Sequence, residues 1–131
     1  MGKREHGGVP ATDDQIIEAI EELVTANREA RRIMEAGEEV LVRGIERLRN
    51  GERISETLAY TPAGEQRGAT ESANRRIAEA RHDLRLLLIG RCLDEGMRPW
   101  EIGKAWGMSR QRVDRYIQEL KRTPDTGDDG R

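Results

Sequence analysis

Residues 98–122 read RPWEIGKAWGMSRQRVDRYIQELKR, and this stretch predicts two short helices joined by a tight turn. Pro99 suits the first position of a helix, where its missing N–H costs nothing. Gly107 follows the apolar residues of the first helix, at the place where a left-handed residue commonly ends a helix. Ser109 is a favourable N-cap for a second helix. The stretch therefore predicts a helix, a turn at Gly107, and a second helix that begins after Ser109.

Both helices are predicted to have one apolar face, because their apolar residues recur at helical spacing. In the first helix these residues are Ile102, Ala105 and Trp106. In the second helix they are Val113, Tyr116, Ile117 and Leu120. The outer face of the second helix is then polar and carries Arg110, Gln111, Asp114, Arg115 and Gln118.

Residues 101–113, EIGKAWGMSRQRV, closely resemble the helix-turn-helix of bacterial DNA-binding proteins. The run is similar to the C-terminal region of sigma factors, to Crp-type regulators and to resolvase C-terminal domains. The matching features are Glu101 and Ile102, the small Gly103 at the helix crossing, Gly107 in the turn, Ser109 as cap, Val113 inside, and the preceding Gly96 and Met97. Arg98 departs from these motifs, which usually carry a capping Ser or Thr there. The resemblance covers about the last third of the chain and implies a three-helix DNA-binding unit.

The resemblance implies that the second helix enters the major groove, where Arg can read guanine and Gln can read adenine. The candidates for reading bases are Arg110, Gln111, Asp114 and Arg115. Asp114 lies four residues after Arg110 and can hold its guanidinium in place, or accept a hydrogen bond from cytosine. The candidates for binding phosphates are Lys104, Ser109, Arg112, Lys121 and Arg122. We expect Trp100 to pack on a neighbouring helix rather than to lie against the DNA backbone.

The charge of the chain is unevenly distributed. The 131 residues are 37% charged and 35% apolar, with a net charge of −2. Residues 98–122 contain seven Lys or Arg and three Asp or Glu, a balance of +4. Residues 13–50 contain ten acids and six arginines, a balance of −4. This asymmetry favours an arrangement in which residues 98–122 face DNA and residues 13–50 are repelled by it.

A long helix is predicted from Asp13 to about Asn50, with Thr12 as its N-cap and Asn50-Gly51 as its stop. Apolar residues follow one another at alternating spacings of four and three along this helix, which is typical of a coiled-coil seam. We expect this seam to pair two chains through Ile16, Ile20, Leu23, Asn27, Met34, Leu41 and Leu48. A second apolar stripe widens this face. The glycines in the seam, Gly37 and Gly44, indicate either a kink or a close helix approach.

The rest of the chain completes an all-α prediction. Residues 52–69 contain a Pro and two Gly and predict a loop, after which Thr70 or Ser72 caps a helix that ends near Gly96. The predicted architecture is a long coiled-coil-like helical hairpin (13–83) that leads into a three-helix helix-turn-helix unit (84–122). Residues 1–12 and 123–131 are predicted to be disordered tails.

The sequence favours a sequence-specific double-stranded DNA-binding protein, a bacterial-type transcriptional regulator that we expect to act as a homodimer. The alternative is an accessory factor of transcription or of phage or plasmid DNA handling, whose helix-turn-helix docks RNA polymerase or another protein. No catalytic triad, phosphate loop or metal-ligand spacing is present, so we expect no enzyme activity, metal or cofactor. Cys92 is alone and predicted to be a small core residue. No membrane segment or signal peptide is visible, which indicates a cytoplasmic protein.

Overall fold

A computed structural model describes residues 11–129, and this part of the chain is entirely helical apart from its turns. The five helices are α1 (Asp13–Arg49), α2 (Ile54–Ala59), α3 (Ala63–Asp94), α4 (Pro99–Trp106) and α5 (Arg110–Asp129). The predicted all-α class is therefore confirmed. Within the described range, no helix is long and apolar enough to cross a membrane. Most of the predicted N-terminal tail, residues 1–10, lies outside the described residues, as do residues 130 and 131.

The chain divides into two compact units. Among the described residues, unit 1 contains residues 11–20 and 81–129, and unit 2 contains Glu21–Ala80. Both long helices contribute to both units, since the boundaries fall inside α1 and α3. On α3, the boundary at Arg81 lies three residues before the predicted start of the helix-turn-helix unit at Leu84.

The start of α1 is held by a reciprocal cap and by α3. The Thr12 hydroxyl accepts a hydrogen bond from the Gln15 N–H at 3.1 Å, and the Gln15 amide oxygen accepts one from the Thr12 N–H at 2.9 Å. Arg91 donates to the Ala11 carbonyl at 3.0 Å and forms a 2.7 Å ion pair with Asp13. The hydrogen bond to Asp13 raises the pKa of Arg91 above its ordinary value. Ala11 and Thr12 are thus ordered, unlike the tail predicted for them.

In unit 2, α1 and α3 run antiparallel and are packed closely through small side chains. The buried residues are Ala26 and Ala30 on α1, and Ala73 and Ala80 on α3. The Gln66 amide nitrogen donates to the Ile33 carbonyl at 2.9 Å, and a Cβ at Gly37 would lie 2.7 Å from that nitrogen. Gly37 therefore marks a close helix approach rather than a kink.

The face of α1 buried in unit 2 differs from the predicted pairing seam. This face contains residues that are buried or half-buried and are spaced alternately by three and four positions: Leu23, Ala26, Ala30, Ile33, Gly37, Val40 and Gly44. Among the predicted seam residues, Ile16, Leu23 and Asn27 are half-buried, whereas Ile20, Met34, Leu41 and Leu48 are exposed. The exposed seam residues stay predicted contacts between two chains, because the apolar surface of α1 is wide enough to include both stripes.

The predicted loop at residues 52–69 is largely helical, which corrects the sequence-based prediction. α2 begins after Arg53, whose N–H donates to the Glu56 carboxylate at 3.2 Å. Thr57 is buried, and its hydroxyl donates to the Glu52 carboxylate at 2.9 Å. The methyl group of Thr57 lies 4.0 Å from the position of a Cβ on Gly44. α2 is thus held by tertiary contacts with α1, which local composition does not reveal.

α3 begins earlier than predicted, at Ala63 immediately after Pro62. Thr70 does not cap the helix, since its hydroxyl donates to the Gln66 carbonyl one turn earlier at 2.9 Å. Gly64 and Gly68 lie within α3 and were the reason for predicting a loop. Their poor helix propensity is offset by the packing of the rest of α3, because helical stability in proteins comes mostly from tertiary contacts.

α5 is also longer than predicted, because it continues to Asp129 instead of ending at Arg122. The prediction of a tail from Thr123 rested on Pro124 and Gly127, which are poor residues for a helix interior. Once the first turns of α5 are packed, adding residues to an existing helix no longer carries the cost of nucleation.

Candidate nucleic-acid interface

A small apolar core in unit 1 joins the C-terminal part of α3 to α4 and α5. Ile89, Ile102, Val113 and Tyr116 are buried at its centre. The partly buried residues around them are Leu86, Cys92, Leu93, Met97, Met108, Ile117 and Leu120. The predicted inner face of α5 is therefore confirmed. Burial raises the pKa of the Cys92 thiol, in keeping with its predicted place as a small apolar residue.

The connection from α3 to α4 follows the sequence signals. The Met97 N–H donates to the Cys92 carbonyl at 2.9 Å, and the Met97 side chain packs on the core. Pro99 is the first residue of α4, as predicted. Arg98 has no side-chain acceptor, but its own N–H donates to the Glu101 carboxylate at 2.8 Å. Glu101 thereby supplies half of a capping box, although Arg98 lacks the capping hydroxyl of the Ser or Thr that is usual at its position in the motifs the sequence resembles.

The turn between α4 and α5 is tight and depends on two glycines. Gly107 ends α4 with φ of +65°, in the left-handed region, and the Met108 N–H donates to the Gly103 carbonyl at 2.8 Å. A Cβ on Gly103 would lie 2.7 Å from the Met108 carbonyl oxygen, so only glycine fits there without movement of the backbone. The Ser109 hydroxyl accepts from the Arg112 N–H at 3.1 Å and caps α5. These roles of Gly103, Gly107 and Ser109 are as predicted.

The exposed N-terminal face of α5 carries the four predicted base-reading residues. Arg110 forms an ion pair with Asp114 at 3.1 Å, and their side chains are 61% and 48% exposed. Gln111 and Arg115 are exposed on the same helix. The ion pair limits the rotamers of Arg110, so its guanidinium is partly oriented before any ligand binds. Arg and Gln side chains can each form two hydrogen bonds with a base edge, so exposed residues of these types are available for such contacts.

The predicted phosphate-binding residues are all exposed: Lys104, Ser109, Arg112, Lys121 and Arg122. They lie on α4, at the start of α5 and farther along α5, which places positive charge on both sides of the base-reading residues in the sequence. The free N–H groups of the first turn of α5 add a partial positive charge at the same end of the helix.

A shallow concavity beside α5 contains two residues that the sequence did not single out, His82 and Glu119. It is lined by His82, Arg112, Arg115, Tyr116 and Glu119. The His82 Nε2 lies 2.8 Å from one oxygen of the Glu119 carboxylate, and the His82 ring centroid lies 5.3 Å from that of Tyr116. His82 and Glu119 are 37 residues apart in the chain, so no local pattern relates them. This contact joins α3 to α5 beside two of the predicted DNA-binding arginines.

The outer surface of α4 is more apolar than predicted. Ala105 and Trp106 are exposed rather than part of a buried face with Ile102. Trp100 is 53% exposed, so it does not pack fully on a neighbouring helix. These side chains are exposed because α4 is only eight residues long and packs against the core through Ile102 and Gly103, its two buried residues.

No protein-family model, no curated protein and no solved structure matches this chain. Among residues 11–129, no group of three or more His, Cys, Asp or Glu side chains is arranged to hold a metal ion.

Proposed function

We propose that the chain is a sequence-specific double-stranded DNA-binding protein, a transcriptional regulator of bacterial type. Unit 1 is the helix-turn-helix domain and α5 is its recognition helix. Unit 2 is a coiled-coil-like hairpin through which two chains pair. A cytoplasmic location, where duplex DNA and RNA polymerase are present in bacteria, is part of this proposal. The observation that carries it is the exposed start of α5, where Asp114 orients Arg110 beside Gln111.

The base-reading step depends on the donors at the start of α5. A helix of this kind lies in the major groove with its N-terminal residues against base edges. Arg110 donates two hydrogen bonds to guanine O6 and N7, and Gln111 pairs with adenine N6 and N7. Arg115, one turn after Gln111, reads a further base, while Asp114 holds Arg110 or accepts from cytosine.

The phosphate contacts supply affinity and set the position of the helix without reading sequence. Arg112 and Lys104 are exposed and contact the backbone on either side of the groove. The excess of four positive charges in residues 98–122 favours the approach of a polyanion. These contacts release counterions, and binding therefore weakens as the salt concentration rises.

The first test is fluorescence anisotropy of a labelled mixed-sequence duplex, titrated with protein over a series of salt concentrations. We expect binding that weakens steeply with salt and is lost in the triple variant Arg110→Ala, Arg112→Ala and Arg115→Ala. The matched control is Arg43→Ala, Arg67→Ala and Arg75→Ala, which removes the same charge from exposed positions of unit 2. If the control loses as much affinity as the first variant, overall charge rather than α5 governs binding.

Specificity is tested on a site obtained by selection from random duplexes. Arg110→Ala should weaken binding to that site by about 1–3 kcal/mol and leave binding to unrelated sequence nearly unchanged. Lys104→Ala should instead weaken both by a similar factor, because a phosphate contact is independent of sequence. An equal loss on all sequences for Arg110→Ala would make it a phosphate contact.

A second function is favoured by the exposed surface of α4. In this alternative the chain is an accessory factor, and unit 1 docks RNA polymerase or another protein through Trp100 and Trp106. Exposed tryptophans are common anchors of protein interfaces. Absence of DNA binding at low salt, together with a copurifying protein that Trp100→Ala releases, would favour this function over DNA binding.

A further inference from the structure

A second stripe of α1 in unit 2 is mostly apolar and, apart from the half-buried Asn27, exposed. It is displaced by one residue from the face that packs on α3. Its positions follow the same alternation of three and four residues and are Val24, Asn27, Arg31, Met34, Glu38, Leu41, Ile45 and Leu48. Leu41 is 67% exposed and Met34 is 52% exposed. We call these eight residues the outer stripe. Such a sustained 3-4 alternation is the pattern of a helix that packs along a partner helix.

The order of residues in the outer stripe is close to symmetric about the point between residues 32 and 33. Val24 and Leu41 are equidistant from that point, and so are Asn27 and Glu38. The innermost pair consists of Arg31 and Met34. When two copies of α1 lie antiparallel and cross at this point, Val24 meets Leu41 and Asn27 meets Glu38, so these positions match in polarity, while Arg31 lies beside Met34. A parallel pair would instead place Arg31 against Arg31 and Glu38 against Glu38, which is unfavourable.

Charged residues beside the outer stripe are complementary in the same antiparallel arrangement. Arg28 and Glu35 are both exposed, seven residues apart on the side of the stripe away from α3. In the antiparallel pair, Arg28 of one copy lies about 3 Å along the axis from the level of Glu35 of the other, at about 1.5 Å per residue. Symmetry forms this ion pair twice. Among residues 11–129, neither side chain has a salt bridge within its own chain.

We propose that the outer stripe is the self-association surface of this protein, and that two copies pair through antiparallel α1 helices. A second copy is the occupant that the near-symmetric order of residues and the charge complementarity both favour. This surface shares Asn27, Met34, Leu41 and Leu48 with the seam predicted from sequence, but it omits Ile16, Ile20 and Leu23. The proposal does not rest on DNA binding and is tested without DNA.

The test is sedimentation velocity of the full-length chain over a wide concentration range. The wild-type protein should sediment as a dimer that dissociates on dilution. Leu41→Glu should raise the dimer Kd by about tenfold or more, because it places a charge in the apolar contact. Ala36→Glu, on the opposite exposed face of the same helix, makes the same change of charge and should leave the Kd unchanged. Circular dichroism should show equal helicity for all three proteins.

The antiparallel direction is tested by reversing charges. Arg28→Glu or Glu35→Arg alone should raise the Kd by about three- to tenfold, since each places like charges opposite one another twice. The double variant should restore the wild-type value. A protein that remains monomeric at every concentration, or a dimer insensitive to Leu41→Glu, would overturn the proposal. The outer stripe would then be a candidate surface for binding a different protein. Sensitivity to Leu41→Glu without rescue by the double variant would overturn the antiparallel direction.

Discussion

At the scale of single residues, the turn before α5 is set by Gly103, Gly107 and Ser109. Gly107 supplies a left-handed conformation that ends α4, and Ser109 satisfies a free N–H of α5. Gly103 has a different role, because it removes a side chain where the backbone of the turn comes closest. All three roles were predicted, since each depends on chemistry within about six residues of the chain. The approach at Gly103 also requires the two helices to meet in space.

Gly103→Ala should destabilise the protein by about 1–3 kcal/mol, because its Cβ would lie 2.7 Å from the Met108 carbonyl oxygen. Backbone atoms must move to accommodate it, which shifts α5 relative to α4. The measurement is urea unfolding followed by circular dichroism at 222 nm. An unchanged unfolding midpoint would show that the turn relaxes without cost and that the close approach does not constrain it.

At the scale of elements, the long helices were harder to predict than the short ones. The start of α1 was predicted correctly from Thr12, whose reciprocal bond with Gln15 is local. The predicted start of α3, after a cap at Thr70 or Ser72, is eight or ten residues too late, because Gly64 and Gly68 are more typical of a loop than of a helix. Contacts such as that of Gln66 with Ile33, 33 residues away, are not visible in a short window of sequence.

Gly68→Ala should stabilise the protein by about 0.5–1 kcal/mol, because Gly68 is exposed in a helix and no atom obstructs a Cβ there. Alanine reduces the conformational entropy of the unfolded chain and has the higher helix propensity. The measurement is the thermal midpoint from circular dichroism. A lower midpoint than that of the wild-type protein would indicate that residue 68 is not helical, as the loop prediction had it.

At the scale of the whole molecule, the charge of the chain is divided along its sequence. Residues 98–122 have a balance of +4, and residues 13–50 have a balance of −4. The positive stretch contains the helices proposed to bind DNA, and the negative stretch contains the helix proposed to pair two copies. A chain with a net charge of −2 can therefore bind a polyanion with one part while the other part is repelled by it.

If both proposals hold, pairing should double the number of phosphates contacted. Each neutralised phosphate contributes about 0.9 to the slope of log K against log salt concentration. The wild-type protein on a two-fold symmetric duplex should have about twice the slope of the Leu41→Glu variant. The measurement is anisotropy over a salt series, with Ala36→Glu as the control. Equal slopes for the wild-type protein and Leu41→Glu would mean that one chain at a time contacts the duplex.

The sequence by itself determined the features that arise from neighbours in the chain. These are the all-α class, the cap at Thr12, the turn at Gly107 and the inner face of α5 beginning at Val113. Once the inner face is known, helical spacing alone also gives the outward-facing set of Arg110, Gln111, Asp114 and Arg115. The ion pair of Arg110 with Asp114 was predictable for the same reason, because it joins residues one turn apart.

Only the tertiary structure decided which of two adjacent stripes of α1 is buried. Both stripes have the same 3-4 spacing, so periodicity does not distinguish them. The stripe that packs on α3 is the one with small residues, such as Ala26 and Ala30, which allow α3 to approach closely. The helical state of residues 63–69 and the meeting of His82 with Glu119 were decided in the same way. In each case the deciding contacts join residues more than 30 positions apart, and a local pattern carries no information about them.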